Sequence, residues 1–218
     1  MKRIHLLFAI SIIVILFFGL SNVNAVDSSK WKTITVDGTE FKIPPEYENG
    51  NFIGENKGYC KDSHFYFDMW SYKNDSHQEF HDFGYALTSN NLKNIQMDHI
   101  GNHDVIIMSR YYSHWDYADY YIEIWLMCGN VTYKITQNGT NMSENVKELI
   151  KTSPKQNLTS QEFYSKYYTY QIEYMQYLDD LEWVNNDIQQ FENQKKLERQ
   201  AQNDNMNWYL FGYLSNNY

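Results

Sequence analysis

Residues 120–136 read Tyr120-Tyr-Ile-Glu-Ile-Trp-Leu-Met-Cys128-Gly-Asn-Val131-Thr-Tyr-Lys-Ile-Thr136, and this stretch decides the fold. Tyr120, Ile122, Ile124, Leu126 and Cys128 alternate with other residues, so they share one face of a strand. Val131, Tyr133 and Ile135 can continue that face across a two-residue turn. Gly first in Gly129-Asn130 suits a type II′ turn. The stretch therefore predicts a long hairpin, Asp119–Cys128 with Val131–Gln137.

Two more turns of this kind organise the chain upstream. Gly101-Asn102 joins Asn94–Ile100 to His103–Tyr112, which places His99 opposite Asp104. Asp37-Gly38, a type I′ signature, joins Lys32–Val36 to Thr39–Ile43. His64–Tyr72 reads as a further strand. The count is about seven strands, mostly linked as hairpins and hence antiparallel. Ser76-His-Gln-Glu79 is a capping box before Phe80, Phe83 and Leu87, which fall at helical spacing, although Gly84 weakens that helix. Asn141-Met-Ser-Glu144 starts a second helix carrying Val146, Leu149 and Ile150, ended by Pro154. A mostly antiparallel sheet covered by helices is an α+β architecture.

The second half changes character. Thr159-Ser-Gln-Glu162 is a third capping box, and neither Gly nor Pro then occurs until Gly212. Phe163, Tyr167, Tyr170, Tyr174, Tyr177, Leu181, Val184, Ile188 and Phe191 fall at alternating steps of four and three. That is an a/d heptad seam. Its 29 residues span about 43 Å as a helix, against a diameter of about 36 Å for a body of some 125 residues. The helix is thus expected to outrun its domain. Lys195 and Glu198 break the seam. The predicted organisation is a leader at 1–25, an α+β domain at 26–156, a long amphipathic helix at 157–205 and an aromatic tail at 206–218.

Composition narrows the function. With 20 Tyr, 12 Phe and 6 Trp in 218 residues, the chain can fill a sizeable core, which excludes wholesale disorder. A net charge of −9 argues against a nucleic-acid partner, because phosphate affinity needs clustered Lys and Arg. At the start, Lys2 and Arg3 precede an apolar run from Ile4 to Leu20, and Val23 and Ala25 occupy positions −3 and −1. This is the layout of a secretory signal peptide cleaved after Ala25; an uncleaved anchor is the other reading. Either places the bulk outside the cytoplasm, and only the anchor would touch the membrane. Loss of Lys2 and Arg3 would take the net charge from −9 to −11. In an oxidising compartment the only two cysteines, Cys60 and Cys128, are expected to bridge, worth about 4 kcal/mol in the chain-entropy model. Two buried thiols are the alternative. Sequons begin at Asn74, Asn130, Asn138, Asn141 and Asn157, a weak excess over chance.

The order of residues 31–153 resembles the PsbP-type family, which includes extrinsic subunits of photosystem II, a Ran-binding factor and many secreted bacterial proteins. The likeness rests on Phe41-Lys-Ile-Pro-Pro-Glu-Tyr47, the strand and helix after it, and the closing helix 144–152 behind Tyr133-Lys-Ile-Thr136. The texture is also similar to secreted proteins of methanogenic archaea. The resemblance implies a sandwich of antiparallel sheet and helices and a docking role more often than catalysis. It supplies no catalytic residues, and no cofactor is expected. The helix beyond residue 157 departs from the family pattern.

Chemistry-bearing groups are sparse. His77 and His81 sit at i and i+4, a spacing that lets two imidazoles meet one metal. No Glu follows His77 as a zincin requires. His64 and His99 are the other weak metal candidates, and exposed or capping roles are the simpler account of scattered histidines. No nucleophile elbow and no phosphate loop occurs. Tyr111, Tyr112, Trp115, Tyr117, Tyr120 and Tyr121 cluster about one strand connection. They could stack on a sugar, or divide between core and outer face by strand alternation. The heptad seam is the leading functional feature. It is expected to pack on its own sheet, on a second copy, or on another secreted or cell-surface protein. A non-enzymatic interaction module is the reading this supports; a histidine-based metal binder or enzyme and a glycan-binding protein are the alternatives.

Overall fold

The computed structural model describes residues 26–61, 66–114 and 117–215, with side chains followed to residue 200 apart from 114, 117 and 118. The architecture is α+β. A short hairpin, β1 (Lys32–Val36) and β2 (Thr39–Ile43), forms a two-stranded sheet of its own. The main sheet has seven antiparallel strands: β3 (Asn51–Ile53), β4 (Gly58–Cys60), β5 (Phe67–Ser71), β6 (Leu92–Ile100), β7 (His103–His114), β8 (Tyr117–Cys128) and β9 (Val131–Asn138). Their order is β3-β4-β5-β9-β8-β7-β6. Three helices complete the chain: α1 (Ser76–Thr88), α2 (Glu144–Thr152) and α3 (Ser160–Ser215).

The turns follow their residue types. Asp37 and Gly38 have φ of 48° and 84°, the double positive of a type I′ turn. Gly101 and Gly129 are positive while the Asn after each is not, as type II′ requires. The registers agree with the alternation: Ile124 pairs Ile135 across β8 and β9, and His99 pairs Asp104 across β6 and β7. All seven expected strands form. Two three-residue strands, β3 and β4, lie beyond that expectation, around a turn in which Gly54, Glu55 and Asn56 all have positive φ.

Period-two alternation divides the main sheet into two buried faces. On the first, Phe67, Met69, Ile122, Ile124, Leu126, Cys128, Tyr133 and Ile135 pack against the β1–β2 hairpin and α2. Tyr133 donates its hydroxyl to the Val36 carbonyl, 3.2 Å away, at the tip of that hairpin. On the second face, Ile106, Met108, Trp125 and Met127 pack against Phe83 and Ala86 of α1 and Phe163 and Tyr167 of α3. Burying large aromatic and aliphatic side chains on both faces contributes about 1.5–3 kcal/mol for each one fully covered.

The second face also carries a buried ion pair. Arg110 on β7 donates to Glu123 on β8 at 2.8 Å. The guanidinium also donates to Ser89 and Asn91, which follow the C-terminus of α1. It thereby fastens the end of α1 to the sheet.

The cysteines do not bridge each other, contrary to expectation. Cys60 lies opposite Asp68, Asp68 opposite Thr136, and Thr136 opposite Glu123. Cys60 is thus three strands from β8, and its row meets β8 five residues short of Cys128, or about 22 Å in all at ordinary strand spacings. The row also belongs to the second face, whereas Cys128 belongs to the first. A disulfide needs Cα atoms within about 7 Å. Cys128 is a buried thiol, and burial pushes its pKa up to about 12.

A candidate interaction surface on the long helix

The approach to α3 is fixed to the sheet. Gly129 in the β8–β9 turn donates to the Lys155 carbonyl and accepts from the Asn157 amide, both at 3.0 Å. Gln156 is held between Asp104 and the Leu158 carbonyl, its amide donating at 2.6 and 2.9 Å. Thr159 and Glu162 then form the expected capping box: the Thr159 amide donates to the Glu162 carboxylate at 2.9 Å, and the Glu162 amide donates to Thr159 Oγ1 at 3.3 Å. The other two caps sit differently from expectation. Asp75, not Ser76, caps α1, and Ser143 caps α2. Glu79 is thereby released from capping.

Glu79 is buried on the inner side of α1, where it ties three elements together. Its Oε1 receives Lys166 Nζ of α3 at 2.6 Å, Thr132 Oγ1 of β9 at 2.8 Å and the Tyr167 hydroxyl at 3.2 Å. Burial first, and the Glu79 carboxylate second, drive the Tyr167 phenol well above its ordinary pKa. The same two causes push Tyr170 up to about 12.

The a/d seam splits into two halves. Phe163, Tyr167 and Tyr174 are buried and Tyr170 is half-buried, all against the protein's own α1 and sheet. Tyr174 rests on Gly84: a Cβ placed there would lie 2.1 Å from its ring. The expectation that Gly84 only weakens α1 thus omits its purpose, which is to admit that ring. His81 packs edge-on to Tyr174 and Tyr177. Beyond that point Tyr177, Leu181, Val184, Ile188 and Phe191 are exposed, rising from 37% to 59%.

The helix continues through the polar segment to Ser215, so the expected break between helix and tail near residue 205 falls inside one helix. At about 1.5 Å per residue its 56 residues span about 84 Å. Other exposed apolar side chains lie off the seam: Tyr168, Ile172 and Met175 form a second strip at i, i+4 and i+7, and Trp183 is 69% exposed. That spacing was readable in the sequence but was hidden behind the longer seam.

The remaining candidates are placed apart. His77 and His81 neighbour each other on α1, ring centroids 4.4 Å apart. His99 is on β6, its Nδ1 3.0 Å from the Asp104 carboxylate. His64 lies outside the described residues. Among the described residues no group of three or more His, Cys, Asp or Glu side chains could hold a metal ion.

Of the aromatic cluster, Tyr121 is buried beneath the Arg110 guanidinium, and Tyr111 and Tyr120 pair across the strands on the other face. Their rings are tilted at 47°, so they do not form a flat platform for a sugar ring. Tyr112 lies on β7 opposite Asp119. Trp115 and the Tyr117 side chain lie outside the described residues.

Among the described residues no helix is long and apolar enough to cross a membrane. No protein-family model matches the chain, and no curated protein matches it.

Proposed function

We propose that this chain is an exported, non-enzymatic interaction module. Its α+β body, of PsbP type in our reading, anchors α3, and the outer half of the seam engages another helix. One observation carries the proposal: a single apolar row passes from buried to exposed in mid-helix. Phe163 is 0% and Tyr167 2% exposed, while Leu181, Val184 and Ile188 are 40%, 43% and 52% exposed. The first half anchors the helix, and the second presents apolar surface of the kind that marks interaction sites. The leader-like start at Lys2–Ala25 supports export.

The experiment is a double substitution, Leu181→Asp with Ile188→Asp. Neither residue belongs to either core cluster, so the melting temperature of the body is expected to hold while association through α3 is lost. Unchanged association would remove the outer seam from the function. A collapse of the melting temperature would assign these residues to stability instead.

A further inference from the structure

We infer that the exported body carries N-linked glycans at Asn74, Asn141 and Asn157, and that α3 stays bare. The inference rests on the export proposed above and adds a modification to it. Each of the three opens an Asn-X-Ser/Thr sequon, closed by Ser76, Ser143 and Thr159 respectively. The motif alone is frequent in a chain this rich in Asn. The fold supplies the second requirement, an acceptor amide that meets solvent outside strand and helix. All three asparagines are exposed, and they sit in the connections that lead into α1, α2 and α3. Asn74 stands in a turn with φ of 57°. Asp75 caps α1, so the Ser76 hydroxyl is outside the cap and exposed. Asn141 donates to the neighbouring Thr140 hydroxyl at 3.2 Å, and Asn157 to Asn130 Oδ1 at 3.0 Å. A glycan replaces one of the two amide hydrogens, so either bond can use the other.

The fold separates the remaining two sequons from these. Asn138 is half-buried at the end of β9, its amide donating to Asp119 at 2.6 Å. The Asn130 sequon closes on Thr132, whose hydroxyl is buried and donates to Glu79 at 2.8 Å. A transferase that reads this hydroxyl finds it covered once β9 and α1 are in place. The helix α3 carries six asparagines and no sequon, so sugar is confined to the body and the outer seam stays clear. In the transfer, Asn Nδ2 attacks the anomeric carbon of a polyprenyl-phosphate-linked oligosaccharide held by its membrane transferase. The bond from that carbon to the phosphate oxygen breaks. The lipid phosphate leaves with the electron pair and takes up the proton that Nδ2 gives up, and an N-glycosidic bond with one N–H remains.

Peptide mass mapping of the protein isolated from its native source tests this, with fragmentation that keeps sugar on Asn. Protein made in a cytoplasmic expression host is the unglycosylated reference. The expected result is one glycan mass on each of Asn74, Asn141 and Asn157 and none on Asn130 or Asn138. Ser76→Ala is expected to remove the Asn74 glycan and Ser76→Thr to keep it. Both should leave the melting temperature of the reference protein unchanged, because Asp75 supplies the cap. An exported chain with all three asparagines bare overturns the inference and leaves export standing. Sugar that persists on Asn74 after Ser76→Ala, or that sits on Asn130 or Asn138 in place of the three, also overturns it. A chain found in the cytoplasm overturns export and the inference together.

Discussion

Tyr174 of α3 lies with its ring against the Cα of Gly84 on α1, at a distance that leaves no room for a methyl group. This is the last point at which the seam is buried against its own domain. The pair sets where anchoring stops and display begins.

Gly84→Ala tests this pair against helix propensity. On propensity alone the change would stabilise α1 by up to about 1 kcal/mol. Overpacking against Tyr174 opposes it, and a net loss of about 1–3 kcal/mol is expected. Urea denaturation checks the sign. In a Tyr174→Ala background the same substitution should become neutral or stabilising, since the ring is gone.

Lys166→Met would leave the Glu79 carboxylate buried without its cation. Breaking a buried pair on one side costs about 3–5 kcal/mol, reduced here because Lys166 remains partly exposed. Glu79→Gln combined with Lys166→Met should recover much of that loss, because Thr132 and Tyr167 can still bond to the amide oxygen. Chemical denaturation of the three variants measures it.

Alkaline stability should follow the tyrosines under α3. Folding raises the Tyr170 pKa to about 12 and the Tyr167 pKa well above its ordinary value of 10.0. The neutral phenols are favoured by the fold, so their contribution is complete below pH 10 and erodes as pH rises through the folded values. The urea midpoint is expected to fall from about pH 10 upward. Tyr167→Phe with Tyr170→Phe should flatten that fall.

Asp68 works in the opposite region. Burial lifts its pKa to about 6, outweighing the pull of Lys134 and the Thr136 hydroxyl. The protonated form is favoured by the fold, so its contribution is complete below pH 3.8 and is lost as pH rises to about 6. Asp68→Asn is expected to raise stability at pH 7 by about 1–2 kcal/mol, less than the full shift because the side chain is only partly buried. Below pH 4 it should have little effect.

Reduction should leave the melting temperature unchanged, because no bridge joins Cys60 to Cys128. Cys128 is expected to resist alkylation at pH 8 until the protein unfolds, its thiol being buried and its pKa raised to about 12. Mass spectrometry of the alkylated native and unfolded protein gives the count.

The hairpins were legible because both signals are local. Alternation fixes which of Tyr133 and Lys134 faces inward, and Gly-Asn or Asp-Gly fixes the turn. Strands β3 and β4 were not, since three residues each carry no period. The cysteine pairing failed for a different reason. Sequence gives the faces of neighbouring strands but not the order in which β4, β5, β9 and β8 assemble, and that order separates Cys60 from Cys128. The seam shows the same limit on the functional side. Its spacing is identical from Phe163 to Phe191, so the point where its own domain stops covering it depends on where α1 ends up. Only the change from tyrosine to Leu181, Val184 and Ile188 marked the boundary, and it is readable once Gly84 is seen beneath Tyr174.

The anchored stretch of α3, Phe163 to Tyr174, is about half as long as the free stretch from Tyr177 to Gln200, about 18 Å against 36 Å. The helix is therefore a lever whose pivot lies where Tyr174 rests on Gly84. A tilt of about 5° at the anchor would swing residue 200 by about 3 Å, half the pitch of a helical turn. Small repacking beneath Tyr167 would thus be magnified at the far end of the helix.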